Sequence, residues 1–215
     1  MRKEYERKAI EKFGINNINF EGLNKETIDE ILQGMENVYN KYPLIFSKID
    51  AIGNEKYVKD TLWNLGYDVT DAFRNSDAFE ENKMMCITKR KKILSIFNTN
   101  DYHFITIVFG RHINDLIKEN EENYTEIYTI KSGIIHEFGH ILDHLLNLSK
   151  DSSLKKVILG DDIDNKGLDG FFSEMIAITF QMYMAGNESE KVNVVISKIN
   201  EKYAEFEIKE NRKHK

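Results

Sequence analysis

The chain has 215 residues, 41% of them hydrophobic, which is enough for one well-buried core and a smaller attachment. Its 36 acidic and 30 basic residues give a net charge of −6 and are scattered, so no basic tract favours a nucleic acid partner. The single Cys86 excludes an internal disulfide framework, and no apolar run has the length of a signal-peptide core or of a membrane span. We therefore expect a protein that is cytoplasmic or delivered by a non-classical route.

The N-terminal part is predicted to be mainly helical. A charged amphipathic pattern predicts a first helix to about Lys12, and Asn24 has the chemistry of an N-cap for a second helix. The second helix is expected to end near Tyr42, because the residue before a proline disfavours helical backbone. Between residues 45 and 85 the pattern is mixed, with "DTLWNLGYDV" (60–69) typical of a helix and "FRNSDAFEENK" (73–83) typical of a loop. The apolar positions of the second helix are Ile28, Ile31, Leu32, Met35 and Val38.

Two strands and three helices are predicted in the remainder. "ILSIF" (93–97) and "FITIVFG" (104–110) are rich in β-branched and aromatic residues and are separated by a polar turn, which favours a strand pair. A long helical pattern then runs to about Leu148. A polar insertion (149–170) leads to a strongly apolar helix (171–186), and an amphipathic helix (190–208) precedes a charged tail.

The long helix contains "HEFGHILDH" (136–144), which has the spacing of a metal site. On a helix that turns about 100° per residue, His136, His140 and Asp143 share one narrow arc, with His144 and Glu137 beside it. The two imidazoles can therefore bind one ion. The opposite arc is apolar and would bury the helix, where a polar group without a partner is costly. The alternative is a solvated polar face that happens to carry two histidines. The apolar arc consists of Ile134, Ile135, Phe138, Ile141, Leu142, Leu145 and Leu146.

Two histidines leave a catalytic zinc short of a third protein ligand. The metzincin pattern is excluded, because Leu146 stands where its third histidine would be and Asp143 replaces its glycine. Glu174 is the best candidate, since it is the only charged residue between Gly170 and Gly186 and an ionised carboxylate there needs a partner. A partly exposed Glu174 bonded to a lysine is the simpler alternative. The competing ligands are the loop-like aspartates Asp161, Asp162, Asp164 and Asp169.

Residues 130–185 resemble the gluzincin metallopeptidases, with Glu174, Ala177 and Phe180 in the pattern of the second helix. "HEFGHILD" is similar to the anthrax lethal factor branch and to zincin-like proteins of phages and mobile elements. The resemblance implies that His136, His140 and Glu174 hold one Zn²⁺ per chain. It also implies that Glu137 is the general base.

The chain departs from that branch at two positions. No tyrosine occurs between His140 and Glu174 to stabilise an oxyanion, so either Tyr183, His103 or His112 would have to serve or catalysis would be weak. Ile178 replaces the acidic residue that orients a zinc histidine, a role that Asp143 would take instead. His144 is a candidate to flank the substrate, or is an ordinary surface histidine.

We expect an α+β protein with a zincin-like fold, in which a small twisted sheet packs on the HExxH helix and the remainder is mostly helical. Residues 1–85 would form a mainly helical part for target recognition and residues 86–215 the catalytic part, unless both form one continuous domain. The expected function is a zinc metalloendopeptidase acting on proteins or peptides. The rival is an inactive zincin-fold structural or interaction protein, for instance one associated with a phage.

Overall fold

A computed structural model of the chain describes residues 2–21, 23–54, 57, 60, 61, 64, 83–88, 93–98, 129–159 and 169–213. They form two compact units, Met1–Ile134 and Ile135–Lys215. The division expected between residues 85 and 86 stays a prediction, because most of the chain that precedes it lies outside the described residues.

Before Ile130, the described part of the first unit includes two long helices and a four-stranded sheet. Its elements are α1 (Arg2–Phe13), β1 (Asn17–Ile18), α2 (Lys25–Tyr39), a 3-10 helix (Pro43–Lys48), β2 (Ile49–Asn54), β3 (Lys83–Thr88) and β4 (Ile93–Asn98). The strand order is β1-β2-β3-β4; β1 is parallel to β2, and the other two pairs are antiparallel. The next helix, α3 (Ile130–Leu146), begins in this unit and continues into the second.

Helix α2 begins as the sequence predicts. The side chain of Asn24 accepts a hydrogen bond from the backbone N–H of Thr27 at 2.8 Å. The predicted apolar face is buried except at Leu32, which is half-buried. The helix ends at Tyr39 rather than near Tyr42, because the chain leaves the helix at Asn40 and Pro43 begins the separate 3-10 helix.

The strand predicted at residues 93–97 is confirmed by β4, whereas β2 and β3 were not predicted. The strand predicted at 104–110 lies outside the described residues. Asp60, Thr61 and Asn64, the described part of the helix predicted at 60–69, are helical. Of the loop predicted at 73–83, only Lys83 is described, and it begins β3.

The second unit is built from the rest of α3 and three further helices, α4 (Ser152–Leu159), α5 (Asp169–Met184) and α6 (Glu190–Lys213). Helix α4 lies in the segment predicted as a polar insertion. The residues predicted as a charged tail mostly extend α6, where Lys213 pairs with Glu210 at 2.6 Å. Within the described ranges, no helix has the length and apolar character needed to cross a membrane.

These elements make the described part of the chain an α+β structure. Because the sheet belongs to the first unit and the HExxH residues to the second, the expected packing of the sheet on that helix stays a prediction.

Candidate metal centre

Both faces of α3 are buried within the second unit. The apolar side chains from Ile135 to Leu146 are at most 8% exposed, as the helical pattern predicts. On the polar face His136, Glu137 and Asp143 are buried as well, and His140 and His144 are half-buried. A solvated histidine face, the alternative considered from the sequence, therefore does not describe this helix.

Helix α5 approaches the polar face of α3 at one very close point. A β-carbon added to Gly139 would lie 2.7 Å from Cα of Ala177 and 3.3 Å from its carbonyl oxygen. Such separations leave no room for a side chain at residue 139. The absence of a β-carbon at Gly139 thus allows the two helices to meet where the two histidines project.

This approach brings Glu174 to both histidines. Its Oε2 lies 3.4 Å from Nε2 of His136, and its Oε1 lies 3.2 Å from Nε2 of His140. One donor atom from each of the three residues falls within 4.8 Å of the others, so the group could hold a metal ion. His136 is 1% exposed, whereas the side chain of Glu174 is 40% exposed.

The second nitrogen of each histidine faces a polar side chain from α5. Nδ1 of His136 lies 3.2 Å from Oε1 of Gln181, and Nδ1 of His140 lies 3.1 Å from Oγ of Ser173. The hydroxyl of Ser173 in turn donates to Oδ2 of Asp143 at 2.6 Å. Each ring therefore presents Nε2 to Glu174 and Nδ1 to a neutral group.

Asp143 is connected to the centre through Ser173. While Oδ2 accepts from Ser173, Oδ1 accepts from the backbone N–H of Ser149 at 2.6 Å. From the sequence, Asp143 was expected to take the role of an acidic residue that orients a ligand histidine. In the structure, the serine hydroxyl lies between the carboxylate and His140.

The hydrogen bonds at Nδ1 determine what each histidine presents to Glu174. Ser173 gives its only proton to Asp143 and the carbonyl oxygen of Gln181 has none, so both histidines must donate from Nδ1. In a neutral ring Nε2 then carries a lone pair, which faces a carboxylate oxygen of Glu174. Two acceptors at 3.2–3.4 Å repel each other unless a proton or a cation lies between them.

Burial and charge set the protonation of the ligands. Burial lowers the pKa of His136, so a second proton on this ring is disfavoured. Burial would also lower the pKa of His140, but Glu174, which faces its Nε2, and the nearby carboxylates raise the pKa of His140 overall, so a proton can lie between His140 and Glu174 in the metal-free protein. Burial alone would raise the pKa of Glu174, but its contacts with Nε2 of both histidines outweigh burial and hold that pKa well below its usual range. Glu174 is thus an ionised ligand.

Glu137 differs from Glu174 because burial, rather than a contact with one of the described histidines, dominates its pKa. Burial raises the pKa of Glu137 to about 7, although the charge of His140 opposes this and that of Glu174 adds to it. A carboxyl group with this pKa can accept and release a proton near neutral pH.

The structure does not bring every predicted residue to the centre. Tyr183 lies nine residues after Glu174 on α5, about 180° around the helix, so it does not share the ligand face. His144 is half-buried one turn beyond His140. His103, His112 and the competing ligands Asp161, Asp162 and Asp164 lie outside the described residues, and the side chain of Asp169 is not described either.

Sequence reasoning missed Ser173 and Gln181. Both could have been found by the test that selected Glu174, since they are polar residues within the same apolar helix. At about 100° per residue, Ser173, Ala177 and Gln181 fall within one arc of about 80°, bordered by Glu174.

Comparison with known proteins finds no match to this chain among the family models, the curated proteins or the solved structures. The interpretation of the centre therefore depends on its own residues.

Proposed function

We propose that this protein is a zinc-dependent metalloendopeptidase that hydrolyses peptide bonds of protein or peptide substrates. One zinc ion per chain would be held by His136, His140 and Glu174. The supporting observation is the convergence of two imidazole Nε2 atoms and one carboxylate, with each Nδ1 already engaged. Two histidines and one glutamate are a set of donors that fits a zincin-like catalytic centre.

The sequence spacing of the two histidines and Glu137 favours zinc as the bound ion. Two histidines and a carboxylate also hold iron(II) in other proteins. The pair at i and i+4 with a glutamate directly after the first histidine is the arrangement in which zinc works beside a general base. The identity of the metal is therefore part of the test.

Glu137 is proposed as the general base. Zinc in such a centre lowers the pKa of a water molecule to about 7 and polarises a carbonyl group. The carboxylate of Glu137, next to His136 in sequence and with a pKa of about 7, would take a proton from the attacking water. It would then deliver that proton to the leaving nitrogen of the peptide bond.

An inactive zincin-fold structural or interaction protein is the second candidate. It is favoured by the position of Tyr183, because within the described part of the chain no predicted oxyanion-stabilising residue lies on the ligand face. The buried Glu137 favours the enzyme, because burial of an ionisable carboxyl group is unfavourable for folding and an apolar residue would avoid that penalty.

The first experiment measures zinc, iron and manganese in protein purified without added metal, alongside Glu174→Ala. We expect about one zinc per chain, and a large loss of zinc in the variant. The second experiment compares cleavage of an unstructured protein such as casein by the unmodified chain and by Glu137→Gln. We expect Glu137→Gln to retain zinc and to lose hydrolysis, since glutamine preserves size but cannot accept the proton.

The outcomes separate the two candidates. Zinc without cleavage of any protein or peptide in a broad screen would favour the structural protein. Iron in place of zinc would reject the proposed chemistry, and full cleavage by Glu137→Gln would reject the role of Glu137.

A further inference from the structure

We infer that Ser173 and Gln181 are positioning residues that hold both ligand histidines as Nδ1–H tautomers. Helix α5 would then supply one ligand and also determine the orientation of the other two. This inference deepens the proposed metal site and depends on metal binding there, but it does not depend on peptide hydrolysis.

Ser173 determines which nitrogen of His140 is available. Its hydroxyl proton is directed to Asp143 at 2.6 Å, so its oxygen can only accept from the imidazole 3.1 Å away. His140 must therefore carry a proton on Nδ1 and present Nε2 as the ligand atom. Because the charge of Asp143 reaches the ring through this hydroxyl, the arrangement makes His140 a stronger electron donor.

Gln181 orients His136 in the same way, but through a neutral amide instead of a hydroxyl that is bonded to a carboxylate. Its side chain is buried, and Oε1 lies 3.2 Å from Nδ1 of His136. A carbonyl oxygen only accepts, so Nδ1 carries the proton here as well. His136 is thus oriented by a neutral amide, and His140 by a carboxylate acting through a serine.

The positions of both residues follow from the geometry of α5. Ser173 precedes the ligand Glu174 directly, and Gln181 lies two turns beyond Ser173 on the same face. The close approach of Gly139 to Ala177 lies between them. One helix crossing therefore places a ligand and two orienting groups against α3.

The competing explanation is that both side chains only satisfy buried polar groups. Removal of either would then lower stability without changing how the histidines bind metal. The two explanations differ in the tautomer of each ring, which nitrogen-15 NMR of the imidazoles measures directly.

The test compares Ser173→Ala and Gln181→Met with the unmodified chain, using zinc as the probe in competition with a chelator. Each variant removes one acceptor while roughly preserving shape. Thr179→Val is the matched control, since Thr179 is a buried hydroxyl on the same helix that donates to the carbonyl of Met175 instead of contacting a histidine. Ser173→Thr keeps a hydroxyl at residue 173. If zinc affinity is lost in Ser173→Ala but kept in Ser173→Thr, the loss is due to the hydroxyl and not to altered packing.

We expect Ser173→Ala and Gln181→Met each to weaken zinc affinity by about 10–100-fold, as losses of such partners do. Because they act on different rings, the losses should multiply in the double variant. Thr179→Val should bind zinc like the unmodified chain, and Ser173→Thr should recover most of the affinity. NMR of the zinc-loaded chain should show protonated Nδ1 on both rings, with the signal of His140 lost selectively in Ser173→Ala.

Zinc affinities within about twofold of the unmodified chain in both variants would overturn the inference, as would a protonated Nε2 on either ring of the zinc-loaded chain. Failure of the unmodified chain to bind zinc would overturn both the inference and the proposed function. If the affinity losses appear but no peptide is cleaved, the proposed function fails and the inference stands.

Discussion

Gly139 of α3 lies against the backbone of Ala177 of α5, so closely that a β-carbon on the glycine would come within 2.7 Å of Cα of Ala177. The contact lies one residue before the ligand His140 and three residues after the ligand Glu174. The separation of the two helices at this point therefore determines the separation of the metal ligands.

Replacing Gly139 by alanine should disturb the centre more than the small size of the added methyl group indicates. The added methyl group meets backbone atoms, which cannot turn away as a flexible side chain can, so α3 and α5 must move apart. We expect destabilisation by about 1–3 kcal/mol, as for other insertions into a packed core, and weaker zinc binding. Thermal unfolding of the metal-free protein and zinc competition measure the two effects.

The double variant Gly139→Ala, Ala177→Gly tests whether the contact of the added methyl group with Ala177 causes these effects. It removes the methyl group of Ala177, 3.2 Å from the added carbon, but leaves the closer Cα, so we expect partial recovery. An isolated helix would gain about 1 kcal/mol from glycine to alanine. A gain of this size for Gly139→Ala in the whole protein would contradict the described crossing.

Glu137 should make the stability of the metal-free protein depend on pH. Its pKa is about 7 in the folded chain against an ordinary 4.5. Between these values the folded state keeps the proton that the unfolded state has lost, so stability should fall as pH rises from 4.5 to 7 and then level off. The total fall from this group is about 3 kcal/mol. In Glu137→Gln this contribution should be absent.

Urea unfolding of both proteins in the presence of a chelator, at several pH values across that window, measures the difference. The difference between the curves reports Glu137 together with its effect on His140, whose pKa Glu137 raises in the folded chain. Parallel curves would show that Glu137 is not buried as described.

Asp151 should stabilise the second unit through its charge. Its Oδ1 accepts from the backbone N–H groups of Ser153 and Leu154 at the start of α4, and Oδ2 pairs with Lys202 of α6 at 3.0 Å. Burial alone would raise the pKa of Asp151, but hydrogen bonds from Ser153 and Lys202 hold it well below its usual range. The carboxylate therefore caps one helix and ties it to another.

We expect Asp151→Ala to lower stability by about 1–2 kcal/mol at neutral pH, and Asp151→Asn by less, because asparagine keeps the capping oxygen. Since the folded pKa is depressed, the advantage of aspartate over asparagine is complete above the ordinary pKa of 3.8 and declines as pH falls below it. Urea unfolding at neutral and acidic pH measures this decline, with Lys202→Met removing the ion pair alone. An advantage that grows on acidification would reject the assignment.

Asn147 should tolerate only certain replacements. It follows the last residue of α3 with a φ of 54°, in the left-handed region. Asn147→Gly and Asn147→Asp should remain within about 1 kcal/mol of the parent, whereas Asn147→Val should lose about 1–2 kcal/mol or more. Thermal unfolding checks this order. Equal stability of the valine and glycine variants would mean that the turn does not require this conformation.

Local signals predicted α2 but not all of the sheet. The cap at Asn24 and the apolar spacing that follows are encoded within a few residues, so both could be recognised. Strands β2 and β3 are paired across a long stretch of sequence, and the interior of β2 contains Gly53, which weakens a strand pattern. Helix α4 was overlooked because polar residues surround its buried Leu154 and Ile158.

The centre, like the fold, could be predicted only where local patterns in the sequence indicate it. His136 and His140 follow from spacing on one helix, and Glu174 from the energetic penalty of an unpaired carboxylate in an apolar segment. The hydrogen bonds of Ser173 and Gln181 depend on where α5 crosses α3, and that crossing is set by a glycine that carries no chemical signal of its own.

The crossing of α3 and α5 also defines a composite signature for recognising distant relatives. A chain with the same centre needs small residues at the positions of Gly139 and Ala177, and a side chain that accepts a hydrogen bond from Nδ1 of each histidine. A substitution on one of the two helices should therefore be accompanied by a change on the other. The signature reads H-E-x-G-H-x-x-D on α3 and S-E-x-x-A-x-x-x-Q on α5.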